Sequence, residues 1–242
     1  MYSFKGRVRY SEVDSEKNMT IPALVDYLQD TCTFQSEDMG YGIDYLARNH
    51  VAWVLSSWEI VFEKMPRFMD EIEVDTWPYD FKNFYGYRNF TICNENGETM
   101  AIANSVWVFM DIETMRPTKI TDEIVNAYIG TRREQISYDW GERKIKYQGE
   151  GMAMEPVVVQ QSHIDTNHHV NNGKYIQIAQ EYIESGFKAD KIRVEYKKAA
   201  TLGDVMYPII YKEENAITVE LSDEAGKPYA VVQFKRNEIC LN

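Results

Sequence analysis

The sequence contains little cysteine and no long apolar run. Its three cysteines, Cys32, Cys93 and Cys240, are odd in number and far apart, so we expect reduced thiols rather than a disulfide framework. No stretch of about 18 apolar residues occurs, which excludes a membrane-spanning helix. The N-terminus lacks the apolar core of a secretory signal. From these absences we expect a cytoplasmic protein with no membrane segment.

Positive charge is also scarce. The 26 Lys and Arg residues stand against 38 Asp and Glu residues, which gives a formal net charge of −12. Because nucleic-acid binding requires a basic surface, this charge argues against a general nucleic-acid-binding function. The remaining composition, 44% hydrophobic and 26% charged over 242 residues, is that of a globular protein with one large domain or two of about 120 residues.

Only four histidines occur, yet three of them, His163, His168 and His169, lie within seven positions. Asp165 and three asparagines stand beside them. The spacing of these histidines matches no common metal-ligand motif and no cysteine is near, so we expect neither a metal ion nor a cofactor. This polar cluster is the first candidate functional segment.

An amphipathic helix is predicted directly after the cluster, extending to residue 185. Apolar residues in the range 175–183 recur at the i, i+3, i+4, i+7, i+8 spacing of one helical face. Asn171 or Asn172 can cap its first turn. Gly186 suits the left-handed position that follows a helix end.

The loop that enters this helix carries a carboxylate, an amide and an imidazole, on Asp165, Asn167 and His169. If the loop is extended, these alternate side chains point the same way. They then meet the helix N-terminus, where free backbone N–H groups and the helix dipole favour negative charge. Each residue alone is also explained as an ordinary turn, cap or loop residue. Together they suit the stabilisation of an oxyanion.

The second half of the chain repeats the pattern of the first, which is a strand, a helix and a series of antiparallel strands. Thr20 can cap a first-half helix that ends near Gly40, and a shorter helix is predicted at 43–49. The buried stripe of the long helix is predicted to contain Leu24, Tyr27, Leu28, Thr31 and Phe34. Strands are predicted at 5–12, 51–62, 71–77, 84–93, 100–111, 157–163, 191–196, 205–212, 216–222 and 229–238.

Three local correspondences indicate an internal duplication. They match Asp14 with Asp165, Asp70 with Asp204, and Gly97 with Gly226. One long helix wrapped by an antiparallel sheet is the hotdog arrangement, so we predict an α+β fold of two hotdogs in tandem, a double hotdog. Its parts are an N-terminal hotdog at 1–130 that shapes the substrate pocket, a charged linker at 131–155, and a catalytic C-terminal hotdog at 156–242.

The motif supports this division of labour. Residues 165–175 read D-x-N-x-H-V-N-N-x-K-Y and closely resemble the corresponding segment of the acyl-ACP thioesterases, fatty-acid-releasing enzymes of plants and bacteria. The resemblance extends over most of the chain, including 27–31, 73–77 and 104–108. At the first-half equivalents of Asn167 and His169 stand Glu16 and Asn18, so only the second half retains the set.

The resemblance implies hydrolysis of a fatty acyl thioester, releasing free fatty acid and holo-ACP. Its implied partner is an acyl carrier protein (ACP) with a fatty acyl-phosphopantetheine, and Asp165, Asn167 and His169 occupy the positions of catalytic residues. Plant members carry a catalytic glutamate and then a cysteine where this chain has Ala199 and Ala200. The general base is therefore open between Asp165, His169 and a displaced acid such as Glu195.

Two alternatives stay open beside this prediction: an acyl-CoA thioesterase, and a non-catalytic hotdog that binds acyl groups as a sensor or scaffold. Leu28, Trp53 and Trp58 are candidate walls of the acyl channel, although simple core packing also explains them. The protein is expected to be a monomer or a homodimer. Candidate basic residues for docking the acidic carrier are Arg132, Arg133, Arg143, Lys144, Lys146, Lys174, Lys188, Lys191, Arg193, Lys197 and Lys198.

Overall fold

The structure, a computed structural model, describes residues 1–184 and 186–236. It divides into unit 1, Met1–Ser56 with Phe62–Trp140, and unit 2, Ser57–Val61 with Gly141–Asn242. The predicted strand end at 237–238, Cys240 and the predicted helix end at Ser185 lie outside the described residues. No helix of the described part is long and apolar enough to cross a membrane.

Unit 1 is built around one long helix, α1 (Ile21–Asp38), which packs on an antiparallel sheet. In this sheet β3 pairs with β1 and β4, and β4 pairs with β5. The strands are β1 (Tyr2–Arg7), β2 (Val51–Phe62), β3 (Glu71–Lys82), β4 (Tyr85–Asn94), β5 (Thr99–Asp111) and the short β6 (Arg116–Pro117). Two short helices, α2 (Ile43–Arg48) and α3 (Asp122–Ala127), complete the unit.

The sequence of α1 explains its start and its buried face. Thr20 caps the helix by accepting a hydrogen bond from the Ala23 N–H at 3.3 Å, and a proline in the first turn needs no N–H partner. The predicted stripe is buried at Leu24, Tyr27, Leu28 and Thr31. Phe34, also predicted in the stripe, is 39% exposed. At 3.6 residues per turn its position has rotated to the edge of the buried face.

Unit 2 repeats the arrangement with helix α4 (Asn172–Gln180) packed on β11 (Ala216–Ser222) and β12 (Pro228–Lys235). The strand order is residues 57–61 of β2, then β9 (Lys191–Tyr196), β12, β11 and β10 (Val205–Glu213). The short strands β7 (Met152–Ala153) and β8 (Val157–Val158) both pair with β10. All of these pairings are antiparallel.

Two predicted strands and one predicted helix are shorter than expected. The regions 5–12 and 157–163 end in 3₁₀ turns, at Tyr10–Glu12 and Gln161–His163. In each turn a side chain accepts from a backbone N–H three residues earlier: the Glu12 carboxylate at 2.7 Å and the His163 Nδ1 at 3.2 Å. Such local bonds compete with strand formation. Helix α4 ends at Gln180, where the following residues make tighter i to i−3 bonds.

The predicted duplication is confirmed at the level of individual backbone hydrogen bonds. In unit 1 the Val8 N–H donates to the Asp70 carbonyl at 2.9 Å, and in unit 2 the Val159 N–H donates to the Asp204 carbonyl at 2.8 Å. The hairpin glycines Gly97 and Gly226 have φ angles of 78° and 73°, which few other residues adopt without strain. The fold is therefore an α+β tandem of two hotdog units.

Candidate active site

The loop between residues 164 and 170 is a closed turn rather than an extended segment. A bridge between Ile164 and Val170 joins its ends. The Asp165 N–H donates to the His169 carbonyl at 2.8 Å, and the His168 N–H donates to the Asp165 carbonyl at 3.1 Å. His168 has a φ of 61°, in the left-handed region where histidine is tolerated better than branched residues. The extended geometry considered from the sequence is therefore not adopted.

The carboxylate of Asp165 orders this turn. Its Oδ1 accepts hydrogen bonds from the Asn167 N–H at 2.7 Å and, more weakly, from the His169 N–H at 3.4 Å. The two backbone positions that carry the amide and the imidazole are thus fixed by one acid. This is the geometry of an Asx turn, in which an aspartate replaces a backbone carbonyl as acceptor.

Unit 1 contains the same turn without the imidazole. The Asp14 Oδ1 accepts from the Glu16 N–H at 2.9 Å and from the Asn18 N–H at 3.0 Å. Lys17, which corresponds to His168, has a φ of 65°. The aspartate therefore has a structural role that does not depend on the candidate catalytic groups.

The side chains of Asn167 and His169 are available in unit 2. Asn167 is exposed and His169 is half-buried. Neither side chain makes a hydrogen bond within residues 1–184 and 186–236. An exposed amide donor and an imidazole two residues apart, on a turn held by an acid, can receive an external oxygen.

The equivalent turn of unit 1 is closed by an arginine. Arg67 Nη1 donates to the Asn18 Oδ1 at 3.3 Å, and its Nη2 donates to the Glu16 carbonyl at 3.2 Å. The duplication places Thr201 at the position of Arg67, and its short hydroxyl instead bonds to the Asp204 carboxylate at 3.1 Å. The second-unit turn is therefore open where the first-unit turn is filled.

The N-terminus of α4 lies directly after the turn. Asn171 is its cap, as predicted, and its Oδ1 accepts from the Gly173 N–H at 2.8 Å. That N–H is therefore not available as one of the backbone oxyanion donors expected at this helix N-terminus from the sequence. The side-chain amide of Asn167 is a donor of this loop that makes no hydrogen bond to a described residue.

The segment that carries the two alanines runs beside the same turn. The Ala200 carbonyl accepts from the Val170 N–H at 2.9 Å, and the Ala200 N–H donates to the Tyr175 hydroxyl at 2.9 Å. Ala199, where the resemblance places a glutamate, is exposed and thus stands one residue from a backbone bond to the turn. Burial raises the pKa of Tyr175 to about 12, so its hydroxyl stays protonated and structural.

Glu195 does not extend toward this turn. Tyr196, its neighbour on β9, donates from its hydroxyl to the Asn172 carbonyl at the start of α4, 3.0 Å away. Successive side chains of a strand point to opposite faces, so Glu195 faces away from α4. Its buried carboxylate accepts from the Ile145 N–H and pairs with Lys197. This anchoring role argues against Glu195 as the base.

The third clustered histidine, His163, closes the preceding 3₁₀ turn. Burial and then the nearby Lys174 ammonium lower its pKa, so it is neutral around pH 7. Within residues 1–184 and 186–236 no group of three His, Cys, Asp or Glu side chains is arranged to hold a metal ion.

The three candidate wall residues are packed among other side chains. Leu28 is 1% exposed in unit 1 and Trp58 is 2% exposed in unit 2. Trp53, in unit 1, makes tilted ring contacts with Phe109, at a centroid distance of 4.8 Å, and with Phe81, at 6.4 Å. Their role in an acyl channel remains a prediction.

Sequence reasoning missed the residues that hold the turn from outside. The sequence pattern predicts Tyr175 only on the apolar face of α4 and Tyr196 only in a strand, but both use their hydroxyls to bind backbone beside the turn. The available signal was that both are tyrosine rather than phenylalanine, since a buried hydroxyl needs a hydrogen-bond partner. Arg67 gave no local signal.

A long helix packed on an antiparallel sheet occurs twice, which defines a double hotdog protein. The second unit carries an open Asp-Asn-His turn before its helix. The particular family follows from direct matches. The acyl-ACP thioesterase N-terminal domain model matches residues 1–128, and the C-terminal domain model matches residues 147–235. The chain belongs to the acyl-ACP thioesterase family.

Individual relatives agree with this assignment. A palmitoyl-ACP thioesterase of Arabidopsis thaliana is 28% identical over 181 residues, covering 70% of this chain and 44% of the relative. An oleoyl-ACP thioesterase of the same plant is 26% identical over 229 residues, covering 85% and 62%. This chain therefore spans less than two thirds of either plant protein. The crystal structure of an acyl-ACP thioesterase from Bacteroides thetaiotaomicron has the same fold, with a TM-score of 0.87, 23% identity and 96% coverage of both chains.

Proposed function

We propose that the protein hydrolyses the thioester bond of fatty acyl-ACP, releasing a free fatty acid and holo-ACP. Membership of the acyl-ACP thioesterase family supports this reaction. The observation that carries the site assignment is the Asp165-ordered turn, which leaves the side chains of Asn167 and His169 without a hydrogen bond to any described residue. The equivalent turn of unit 1 is filled by Arg67.

The turn supplies two groups that thioester hydrolysis requires. When water attacks the carbonyl carbon, the carbonyl oxygen becomes an oxyanion, and the Asn167 amide can donate a hydrogen bond to it. The imidazole of His169 accepts the proton of the attacking water, because a neutral imidazole carries one ring nitrogen that acts as an acceptor. Collapse of the tetrahedral intermediate breaks the carbon–sulfur bond, and the protonated imidazole returns the proton to the departing thiolate.

His169 is the base in this proposal for two reasons. Ala199 has no carboxylate to contribute, and Glu195 is bound to Lys197 and the Ile145 N–H. Asp165 is assigned to positioning, because its carboxylate accepts the two backbone N–H groups that fix the turn.

The carrier protein is proposed as partner, although most of the expected basic residues are already neutralised. Lys174, in the first turn of α4, is a docking candidate, since its ammonium bonds to the uncharged Gln177 amide at 2.9 Å. The cytoplasmic location and the monomeric or homodimeric state stay predictions. Six of the candidate residues form ion pairs with carboxylates: Arg132, Lys146, Lys191, Arg193, Lys197 and Lys198.

A comparison of carriers tests this function. The purified protein is given the same acyl chains on ACP and on coenzyme A, and thiol release is followed with DTNB. We expect faster release from acyl-ACP. Faster release from acyl-CoA supports the acyl-CoA alternative instead. The non-catalytic alternative is favoured by Ala199, and it is supported if acyl-ACP binds but no thiol is released from either carrier.

A further inference from the structure

Unit 1 buries an arginine that has no acidic partner. Arg88 on β4 is only 8% exposed. Its Nη1 donates to the Gln35 Oε1 at 2.5 Å and to the Thr76 hydroxyl at 3.0 Å. Within residues 1–184 and 186–236 no carboxylate forms an ion pair with it. Burying a guanidinium is costly unless an anion compensates its charge, so the protein alone leaves this site incomplete.

A second donor beside it also lacks an acceptor. Gln35 on α1 is fully buried, and its Nε2 makes no hydrogen bond within the described residues. Buried amide nitrogens are normally satisfied. Reversing the amide would give its nitrogen no better partner, because the oxygen is needed by Arg88. Arg88 and Gln35 are thus both hydrogen-bond donors at this site. A negatively charged oxygen acceptor would satisfy both of them.

An aromatic cluster leads away from this pair within unit 1. The Arg88 guanidinium lies 5.5 Å from the centroid of the Tyr128 ring. The distances between ring centroids are 6.0 Å from Tyr128 to Phe81, 6.4 Å from Phe81 to Trp53, and 4.8 Å from Trp53 to Phe109. These rings form a continuous, largely buried aromatic cluster that begins at a cation.

The strand register places the cation and the cluster on one face. Gly86 lies two residues before Arg88 on β4, and alternate residues of a strand share a face. A Cβ at Gly86 would lie 3.0 Å from the Trp53 ring, so Trp53 covers the strand directly beside the Arg88 position. A molecule bound to the guanidinium would therefore lie next to this aromatic cluster.

We propose that Arg88 and Gln35 bind the carboxylate of an aliphatic carboxylic acid inside unit 1, with its chain against the Trp53, Phe81, Phe109 and Tyr128 cluster. A carboxylate matches a guanidinium in charge and geometry. The choice of an aliphatic acid rests on the proposed function. Two sources share this chemistry: the free fatty acid released by hydrolysis, and the terminal carboxylate of a dicarboxylic acyl chain.

Calorimetric titration of the full chain with decanoate and with decanamide tests the proposal. We expect decanoate to bind at least tenfold more tightly, because only the acid supplies a negative charge. Gln35→Glu is the decisive variant, since it places a carboxylate against Arg88. It should weaken decanoate binding at least tenfold while the melting temperature stays equal or rises. Gln29→Glu adds the same charge on the same helix and should bind decanoate within twofold of the parent.

Three results would overturn the proposal: no decanoate binding by the parent, equal binding of decanamide, or parental affinity in Gln35→Glu. His169→Ala separates this proposal from the proposed function, because decanoate binding should persist in that variant whether or not the parent hydrolyses thioesters. The source of the carboxylate is determined from the hydrolysis rates of two acyl-ACP substrates with matched chain lengths. A preference for ω-carboxyacyl-ACP over plain acyl-ACP assigns the carboxylate to the substrate, and equal rates assign it to the released acid.

Discussion

Asp165 and His169 stand four residues apart, and the proposed mechanism gives them different tasks. The Asp165 carboxylate accepts the backbone N–H groups of Asn167 and His169, as Asp14 does for the equivalent turn of unit 1. A carboxylate used in this way holds the geometry of the turn. The backbone position of His169 is therefore fixed by Asp165, and the imidazole itself makes no bond to a described residue that holds the turn.

Replacing each of the two aspartates distinguishes a positioning role from a catalytic role. Asp165→Ala and Asp14→Ala each remove two backbone hydrogen bonds, so each should lower the free energy of unfolding by about 1 kcal/mol in a denaturant titration. Only Asp165→Ala should also lower kcat for acyl-ACP, by roughly 10- to 100-fold, because the proposed catalytic groups of Asn167 and His169 lose their alignment. The pH profile of the residual activity should keep its shape. Loss of its acidic limb would instead make Asp165 the base.

At this scale a candidate segment could be selected from the sequence, but its geometry could not be predicted. The spacing of Asp165, Asn167 and His169 allowed an extended loop, whereas an aspartate accepting from the next two alternate N–H groups favours a closed turn. The burial of Glu195 against Lys197 was also hidden, because it depends on the Ile145 backbone, 50 residues away in the chain.

Among the elements, the β11–β12 hairpin differs from the β4–β5 hairpin in the side chain that accepts the backbone N–H groups of its turn. The Asp223 Oδ1 accepts from the Ala225 and Lys227 N–H groups, and in unit 1 the neutral Asn94 makes the corresponding bonds. The bond from the Lys227 backbone is the main cause that holds the pKa of Asp223 below its ordinary value. At this acceptor position the second hairpin carries a group that acid can protonate, and the first carries a neutral amide.

Asp223→Asn should make the stability of the protein less sensitive to acid. Because the folded pKa lies below the unfolded value of about 3.9, the ionised carboxylate stabilises the fold above that value, and its contribution is lost as the pH falls through the folded pKa. The melting temperatures of the parent and the variant, measured at pH 7 and at pH 3, provide the test. Between pH 7 and pH 3 the melting temperature of the parent should fall by more than that of the variant. An equal loss would contradict the assignment.

The long elements were predictable because their patterns are local. The bounds of β2, β9 and β11 agree with the sequence prediction, and α1 begins directly after its predicted cap. The 3₁₀ turns at residues 10–12 and 161–163 were missed, since the side-chain to backbone bonds that close them leave no periodic signal.

For the whole molecule, the main surprise is that residues 57–61 belong to unit 2. They pair with β9, and the buried Glu59 binds Lys191 at 2.5 Å, Arg193 at 3.5 Å and the Gly141 N–H at 3.1 Å. A contact between segments more than 130 residues apart has no signature in local patterns. A division of the chain into consecutive stretches therefore does not place residues 57–61 in the second unit.

A fragment that begins at Gly141 should therefore fail to fold cooperatively on its own. It lacks the strand that pairs with β9 and leaves the Lys191 and Arg193 charges without Glu59, and an unpaired sheet edge promotes aggregation. The same fragment with residues 55–63 attached through a flexible linker should regain a cooperative thermal transition in circular dichroism. Cooperative unfolding of the unextended fragment would show that this strand is dispensable.

Hydrolysis at the second-unit turn is the central claim, and adjacent histidines allow a direct test. Acyl-ACP turnover is measured for the parent, for His169→Ala, and for His168→Asn, which alters the exposed neighbour while keeping a residue that tolerates its positive φ. Loss of a general base should slow His169→Ala by about 10²- to 10⁴-fold, while His168→Asn should stay close to the parent. Parental turnover in purified, folded His169→Ala would contradict the account.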